Sequence, residues 1–334
     1  MPEGHSVHRV ALQFQRDFVG HAISASSPQG RFAEGASVLD GLTLREAKAV
    51  GKQMFLGFDT VSVVGTAVRR VDSGVWLRVH LGIYGAWDFA GAVSPLFSRA
   101  RAGVNGGAHS VGAPRGVGAR SDVLSATEGQ RRNVRVSEDE RDLGVSLDET
   151  FPHEPVGAVR VRLLTESTVA DLRGPTACEV LDVAAVQLVL NRLGPDPVTD
   201  LGPEAEQRFV DAVTRRKVAI GQLLMDQSIV AGIGNVYRAE ILFRAQLSPY
   251  TPGNLVPVDT VRALWHDWCV LLPIGIRKGK MLTRLGEDAP VRDIRAERYW
   301  TYKREGLPCR RCGSNIRLDV MGARKLYWCP GCQT

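Results

Sequence analysis

Val7, Val10, Phe14 and Phe18 recur at three- and four-residue intervals, and Gly20 follows them. That spacing predicts one amphipathic helix beginning around Ser6 or Val7 and stopping at the glycine. From Ala22 to Phe89 the period shortens to apolar runs punctuated by glycine, such as "MFLGFD" and "GVWLRVHLGIYGAWDF". "GAVRVRLLTE" and "STVADLRG" repeat the pattern near 158–174. Hairpin-linked strands forming a β-sandwich or barrel are the expectation. Residues 90–157 differ, being rich in Gly, Ala, Ser and Arg and poor in apolar side chains. Such a composition offsets little of the entropy of chain ordering, so a mobile insertion, dispensable for catalysis, is predicted there. After "NRLGPDPVTDLGPEAE", which reads as a linker, helix-spaced apolar positions take over in "EAEQRFVDAVTRR", "VAIGQLLMD", "VYRAEILFRAQ" and "DTVRALWHDWCVLLPIGIRKG". The order implies an α+β multidomain chain: 1–199 mainly β, 200–288 helical, and 289–334 a short tail.

Several classes are excluded by what the chain lacks. No apolar run is long enough to span a bilayer, and the start lacks the regions of a signal peptide. A soluble, intracellular protein is expected. At 334 residues there is material for two cores. The net charge of +6 permits a polyanionic partner without requiring one.

Cysteine usage is more specific. Four of six cysteines, Cys309, Cys312, Cys329 and Cys332, fall in the last 26 residues as "CRRC" and "CPGC", sixteen residues apart. Two such knuckles can hold four thiolates tetrahedrally on one metal while the intervening chain returns as a hairpin. The tail is too short for a hydrophobic core of its own, so the metal would hold it folded. Zinc is the ion expected; iron and a disulfide framework are the alternatives. The hairpin carries Arg317, Arg324 and Lys325, a phosphate-facing surface or simply a solvated one.

Two further stretches carry chemistry. In "SIVAGIGNVYRAE", Gly232 and Gly234 break one helix, and Asn235 would cap the next, starting at Val236. Glycines beside a helix N-terminus can form a phosphate-binding nest; a tight structural turn is the alternative. The chain opens "MPEGHS". Removal of Met1 would leave Pro2 as a secondary amine beside the Glu3 carboxylate.

Pro2-Glu3, an early-strand Gly-Lys at Lys52, the "GIGN" turn and the four-cysteine finger, in that order, resemble the formamidopyrimidine-DNA glycosylase/endonuclease VIII family. "PEGH" and "SPQGRFAEGA" are similar to its actinobacterial endonuclease VIII-like branch. The resemblance covers nearly the whole chain outside 90–157. It implies an N-terminal helix with a β-sandwich, then a helix–two-turns–helix domain with a C-terminal zinc ribbon binding one structural Zn2+. It implies a bacterial, cytoplasmic and nucleoid-associated monomer whose partner is damaged DNA. Pro2 would attack the sugar C1′ of a damaged nucleotide and form an iminium, and Glu3 would exchange protons with the sugar. Lys52 would contact a phosphate or the flipped nucleotide. Asn235 and Arg324 would bind phosphates around the lesion. Ile83 and Tyr84, in "HLGIYG", would fill the gap left by the extruded base, with Arg173 facing the orphaned partner. A place in the β core is the alternative for Ile83 and Tyr84.

The implied activity is that of a bifunctional glycosylase and AP lyase, cutting by β,δ-elimination at oxidised bases, pyrimidines favoured. Oxidised purines, or a non-catalytic zinc-ribbon DNA-binding role, are the alternatives. Three positions depart from the family pattern. Ser6 stands where many members carry glutamate, Pro175 where the purine-specific branch has phenylalanine, and Gly221 where many have a lysine. The last removes one expected phosphate charge. An iminium is expected at Pro2 rather than Lys52, because Pro2 sits beside Glu3 and an α-amine is less basic than an ordinary lysine.

Overall fold

The structure is a computed structural model that describes residues 1–64, 67–97, 131–145, 150–290 and 294–334. Helix α1 spans Gly4–Asp17. It starts earlier than the apolar spacing indicates, because Ser6 Oγ accepts from the Glu3 N–H at 3.2 Å and donates to the Glu3 carbonyl at 3.0 Å. The first turn is thus closed by a polar side chain that an apolar periodicity does not register.

After β1 (Ser24–Ser26) and α2 (Ala33–Leu39) come β2 (Thr43–Val50), β3 (Gln53–Val64), β4 (Ala67–His80) and β5 (Ala86–Gly91). They are followed by β6 (Arg132–Val136), β7 (Glu140–Val145), β8 (Val159–Leu164), β9 (Thr168–Arg173) and β10 (Ala177–Leu181). A six-stranded sheet in the order β1-β8-β9-β5-β6-β7 faces a four-stranded sheet in the order β10-β4-β3-β2. Every recorded pairing is antiparallel, as hairpin connections require. The inward faces share one core with α1. Phe14 meets Trp87 edge-on at 4.8 Å and Phe89 at 5.3 Å, while Phe18, Leu56, Leu77 and Leu163 are fully buried in the same cluster.

The expectation of a mobile insertion over 90–157 is corrected in part. Residues 98–130 and 146–149 lie outside the described residues, but 132–145 are β6 and β7. In "RNVRV" the period is two: Val134 and Val136 point into the sandwich core, and Arg135 pairs with Asp88 on β5 at 3.1 Å. Two buried valines fix a strand whose flanks read as polar.

The second core is helical. Helices α3 (Val183–Leu190), α4 (Pro203–Thr214), α5 (Ile220–Leu223), α6 (Asn235–Arg244) and α7 (Val258–Lys278) precede the hairpin β11 (Arg317–Met321)–β12 (Arg324–Trp328). Phe209, Trp265, Trp268 and Phe243 are buried together with Tyr299, Trp300, Tyr302, Tyr327 and Cys329. The helices and the cysteine-bearing tail therefore share one core. Glu240 on α6 ties them further, its carboxylate accepting from the backbone N–H groups of Trp300, Thr301 and Tyr302 at 2.8–2.9 Å. Among the described residues no helix is long and apolar enough to cross a membrane.

Candidate active site and metal centre

The site lies where the start of α1, the β2–β3 turn and the N-terminus of α6 converge. Glu3 is completely buried. Its carboxylate accepts from the backbone N–H groups of Gly234 at 2.9 Å, Val236 at 2.8 Å and Tyr237 at 3.3 Å. These are the orphan donors of the first turn of α6, where the helix dipole also favours an anion. The helix begins at Asn235 with Gly234 as its N-cap. The expectation that Asn235 would cap it is therefore corrected: the capping oxygen comes from Glu3, 231 residues earlier in the chain. Of the two expectations for the glycine turn, a phosphate nest or a tight structural turn, neither names its partner here: these three donors hold a carboxylate of the same chain.

Glycine is needed here for space. A Cβ on Gly234 would stand 2.4 Å from the Glu3 carboxyl carbon, and Gly232 has a φ of +94°. The Gly4 N–H donates to the Gly232 carbonyl at 2.9 Å, tying the two segments together. Burial raises the Glu3 carboxyl above its ordinary value, while the Lys52 charge and the three N–H bonds pull it back. A carboxyl so placed can hold a proton and release it to a neighbouring oxygen.

Lys52 leaves the β2–β3 turn and its Nζ donates to the Ile233 carbonyl at 2.6 Å. Burial lowers its ammonium from 10.5 to about 8, against the attraction of Glu3. This removes the ground for preferring Pro2 on basicity, since an α-amine titrates at roughly the same value. What separates the two amines is position: Pro2 is adjacent to Glu3, and Lys52 is engaged by a carbonyl.

The turn itself is pinned by Asp196. Its Oδ2 accepts from the Gly51 N–H at 2.6 Å and meets His8 Nε2 at 2.7 Å, and its Oδ1 accepts from the Val198 N–H. In sequence Asp196 reads as linker. Its burial shows that the linker positions Lys52.

Asn235 is tied to β12, the strand that carries Arg324, through a residue the sequence does not single out. Arg238, only 1% exposed, donates to Asn235 Oδ1 at 2.5 Å and to the Lys325 carbonyl at 2.9 Å. It thereby locks α6 to β12 beside Arg324, and burial lowers it to about 10. Its guanidinium also lies 3.4 Å from the Gly221 carbonyl. A side chain at 221 would stand 2.8 Å from Met321 Sδ and 3.0 Å from the Pro249 carbonyl oxygen. A side chain there would have to displace the Met321 thioether and crowd the Pro249 carbonyl, and Arg238 supplies a cation beside the same place. Its spacing of three from Asn235 on one helix face is a usable sequence signal.

Ile83 and Tyr84 sit in the β4–β5 turn, 42% and 87% exposed, and so outside the β core. Arg173 ends β9 opposite Ala86, two residues beyond Tyr84, with its Nε 3.0 Å from Asp88 Oδ2. Pro2 is buried next to Glu3, and the Met1 nitrogen lies 2.7 Å from Glu138 Oε2.

The cysteines converge as their spacing predicts. The sulfurs of Cys309, Cys312, Cys329 and Cys332 all lie within 4.8 Å of one another, with Cys312 and Cys329 at 3.4 Å and Cys309 and Cys332 at 3.8 Å. Tetrahedral bonds of about 2.3 Å place sulfurs roughly 3.8 Å apart, so the cluster fits one structural zinc.

Three family models match in order. The formamidopyrimidine-DNA glycosylase N-terminal domain covers 1–119, the H2TH domain of that glycosylase 193–286, and the zinc finger found in FPG and IleRS 306–334. Endonuclease 8 1 of Mycobacterium tuberculosis is 36% identical over 338 residues, spanning 100% of both chains. Formamidopyrimidine-DNA glycosylase of Chloroflexus aggregans is 36% identical over 141 residues, 42% of this chain and 50% of that protein. Among solved structures, Lactococcus lactis Fpg in complex with DNA containing an abasic site superposes with a TM-score of 0.64 at 18% identity, covering 99% of each chain. MutM (Fpg) of Thermus thermophilus gives 0.63 at 20% identity, covering 99% of this chain and 98% of that one. The fold is theirs, and with 36% identity to Endonuclease 8 1 over its full length this chain belongs to the formamidopyrimidine-DNA glycosylase/endonuclease VIII family of zinc-containing DNA glycosylases and AP lyases.

Proposed function

We propose that the enzyme removes oxidised pyrimidines through an iminium on Pro2 and then cuts the strand by β,δ-elimination. The observation that carries this reading is the buried Glu3 carboxyl, held on the α6 N-terminus beside Lys52 and next to Pro2 in the chain. With Met1 attached, the Pro2 nitrogen is an amide and has no nucleophilic lone pair, so the mechanism acts in the form from which Met1 is removed.

In that form the Pro2 lone pair attacks C1′, and the glycosidic bond breaks as the base leaves with a proton. The amine sheds its own proton, Glu3 delivers one to the ring oxygen as the sugar opens, and the result is a cationic iminium with no hydrogen on nitrogen. The iminium acidifies the C2′ hydrogen. Its removal expels the 3′ phosphate, a second elimination expels the 5′ phosphate, and water releases the enzyme. Lys52, Asn235 and Arg324 hold phosphates of the damaged strand. Ile83 and Tyr84 fill the space left by the base, and Arg173 faces the unpaired partner. Pro175, where the purine-specific branch has phenylalanine, supports the pyrimidine preference.

Borohydride added during turnover on abasic-site DNA should trap a one-to-one covalent complex that maps to Pro2. A protein with Met1 retained, or with residues added before Pro2, should trap nothing. Full activity with the Pro2 nitrogen acylated would end this mechanism.

A further inference from the structure

The tip of the β6–β7 hairpin is held against the start of the chain. Glu138 Oε2 is 2.7 Å from the Met1 nitrogen, and its Oε1 accepts from Arg295 at 2.5 Å. His5 Nε2 donates to the Glu138 carbonyl at 2.8 Å. Burial lowers His5 to about 4, so its ring is neutral at physiological pH. The neighbours of Glu138 are fixed as well. Arg298 donates to Asp139 Oδ2 at 3.0 Å, the Glu140 N–H donates to the Gly279 carbonyl at 2.7 Å, and Arg9 holds the Glu140 carboxylate. The tip is therefore a rigid presenter of one half-buried carboxylate. Burial acts to raise that carboxylate; the Met1 ammonium and Arg295 together hold it below its ordinary value, and once Met1 has gone Arg295 remains as the cation that favours its ionised form.

Nothing in the mechanism above uses this group. It rests on the same reading, in which Pro2 acts once Met1 has gone. The Met1 and Pro2 nitrogens are separated by two backbone carbons, a span of roughly 3–4 Å. A sugar C1′ in reach of the Pro2 nitrogen, about 3 Å away, puts the attached base within a few ångströms of that nitrogen, on the scale of the space Met1 fills. The Met1 ammonium at Glu138 stands in for N–H donors on such a base. We infer that Glu138 is a specificity-determining residue, whose carboxylate accepts a hydrogen bond from the N–H edge of the extruded base, with Arg295 fixing its orientation. The class selected is a base presenting ring N–H donors, such as a 5,6-saturated thymine with its N3–H. A ring lone pair facing the carboxylate would be repelled, and a methyl group there would clash.

The test compares excision of 5,6-dihydrothymine with that of its N3-methyl analogue in the same duplex, and both with incision of a preformed abasic site. Wild-type protein should prefer the N3–H base by about tenfold or more. Glu138→Ala opens the space and removes the acceptor, so that preference should collapse towards unity. The ratio of base excision to abasic-site incision should fall about tenfold. Glu138→Gln keeps the shape and one acceptor, and should fall between the two. A preference for the N3–H base retained in both variants would overturn the inference while leaving the Pro2 mechanism standing. Failure of wild-type protein to trap abasic DNA at Pro2 would instead overturn the mechanism, and this inference with it.

Discussion

Replacing Lys52 by methionine tests the electrostatics of the site. A fall from 10.5 to about 8 means that folding disfavours the charged ammonium by about 3 kcal/mol, at about 1.4 kcal/mol per decade. The sign follows from proton counts. Below pH 8 both folded and unfolded states carry the charge, and the cost is fully present. Between 8 and 10.5 the unfolded state holds the extra proton, so stability rises with pH. Above 10.5 the cost is gone. Lys52→Met removes the titration and most of the cost, less about 1 kcal/mol for the lost hydrogen bond. The Ile233 carbonyl keeps a second donor, Gln227 Nε2 at 3.0 Å, so it is not left unpaired. At pH 7 the variant should therefore be more stable than wild type by about 2 kcal/mol, and the gap should close as pH approaches 10. Urea denaturation followed by tryptophan fluorescence, run on both proteins at intervals of one pH unit, reads this directly. DNA affinity should move oppositely: wild type weakens above pH 8 as Lys52 discharges, and the variant stays flat. A stability gap that is constant or widens with pH would refute the assignment of a half-buried lysine with a lowered ammonium.

Two further variants examine the phosphate side. Arg238→Met should weaken binding to duplex DNA carrying an abasic analogue about tenfold to a hundredfold, through loss of two charged hydrogen bonds that fix Asn235 and β12. Its zinc content should stay at one equivalent, and affinity within twofold of wild type by fluorescence anisotropy would show that the strut is idle. Cys329→Ser should drop zinc below about half an equivalent and abolish specific binding. Because Cys329 lies in the helical core, hydrogen exchange should accelerate in α6 and α7 but not in the β-sandwich; unchanged protection in the helices would contradict the shared core.

Part of this site is legible in the sequence, and the rest is hidden for identifiable reasons. The cysteine pairs, the glycine turn and the first helix declare themselves because each is a local pattern of spacing or backbone need. Strands β6 and β7 escape such a reading because two inward valines, Val134 and Val136, are a weak period inside a Gly- and Arg-rich stretch. The partner of the glycine turn is hidden because no local pattern links Gly234 to Glu3. Lys52 reads as an ordinary lysine, since its basicity is set by burial that only the folded chain creates. Gly221 reads as a missing charge until Arg238 is seen beside it.

The capping of α6 by Glu3 bears on how this enzyme can be rebuilt. A chimera taking its helical module from another family member would inherit the acceptor and the donors from different parents, and any shift in their docking would part the carboxylate from its N–H groups. Expressed apart, the N-terminal half would expose Glu3 to water and return it towards an ordinary carboxyl, and the other half would carry a helix with bare N–H groups. The two halves are separate in sequence, yet the buried, N–H-bonded state of Glu3 belongs only to their union, so activity recovered on mixing them would report the docking of one carboxylate.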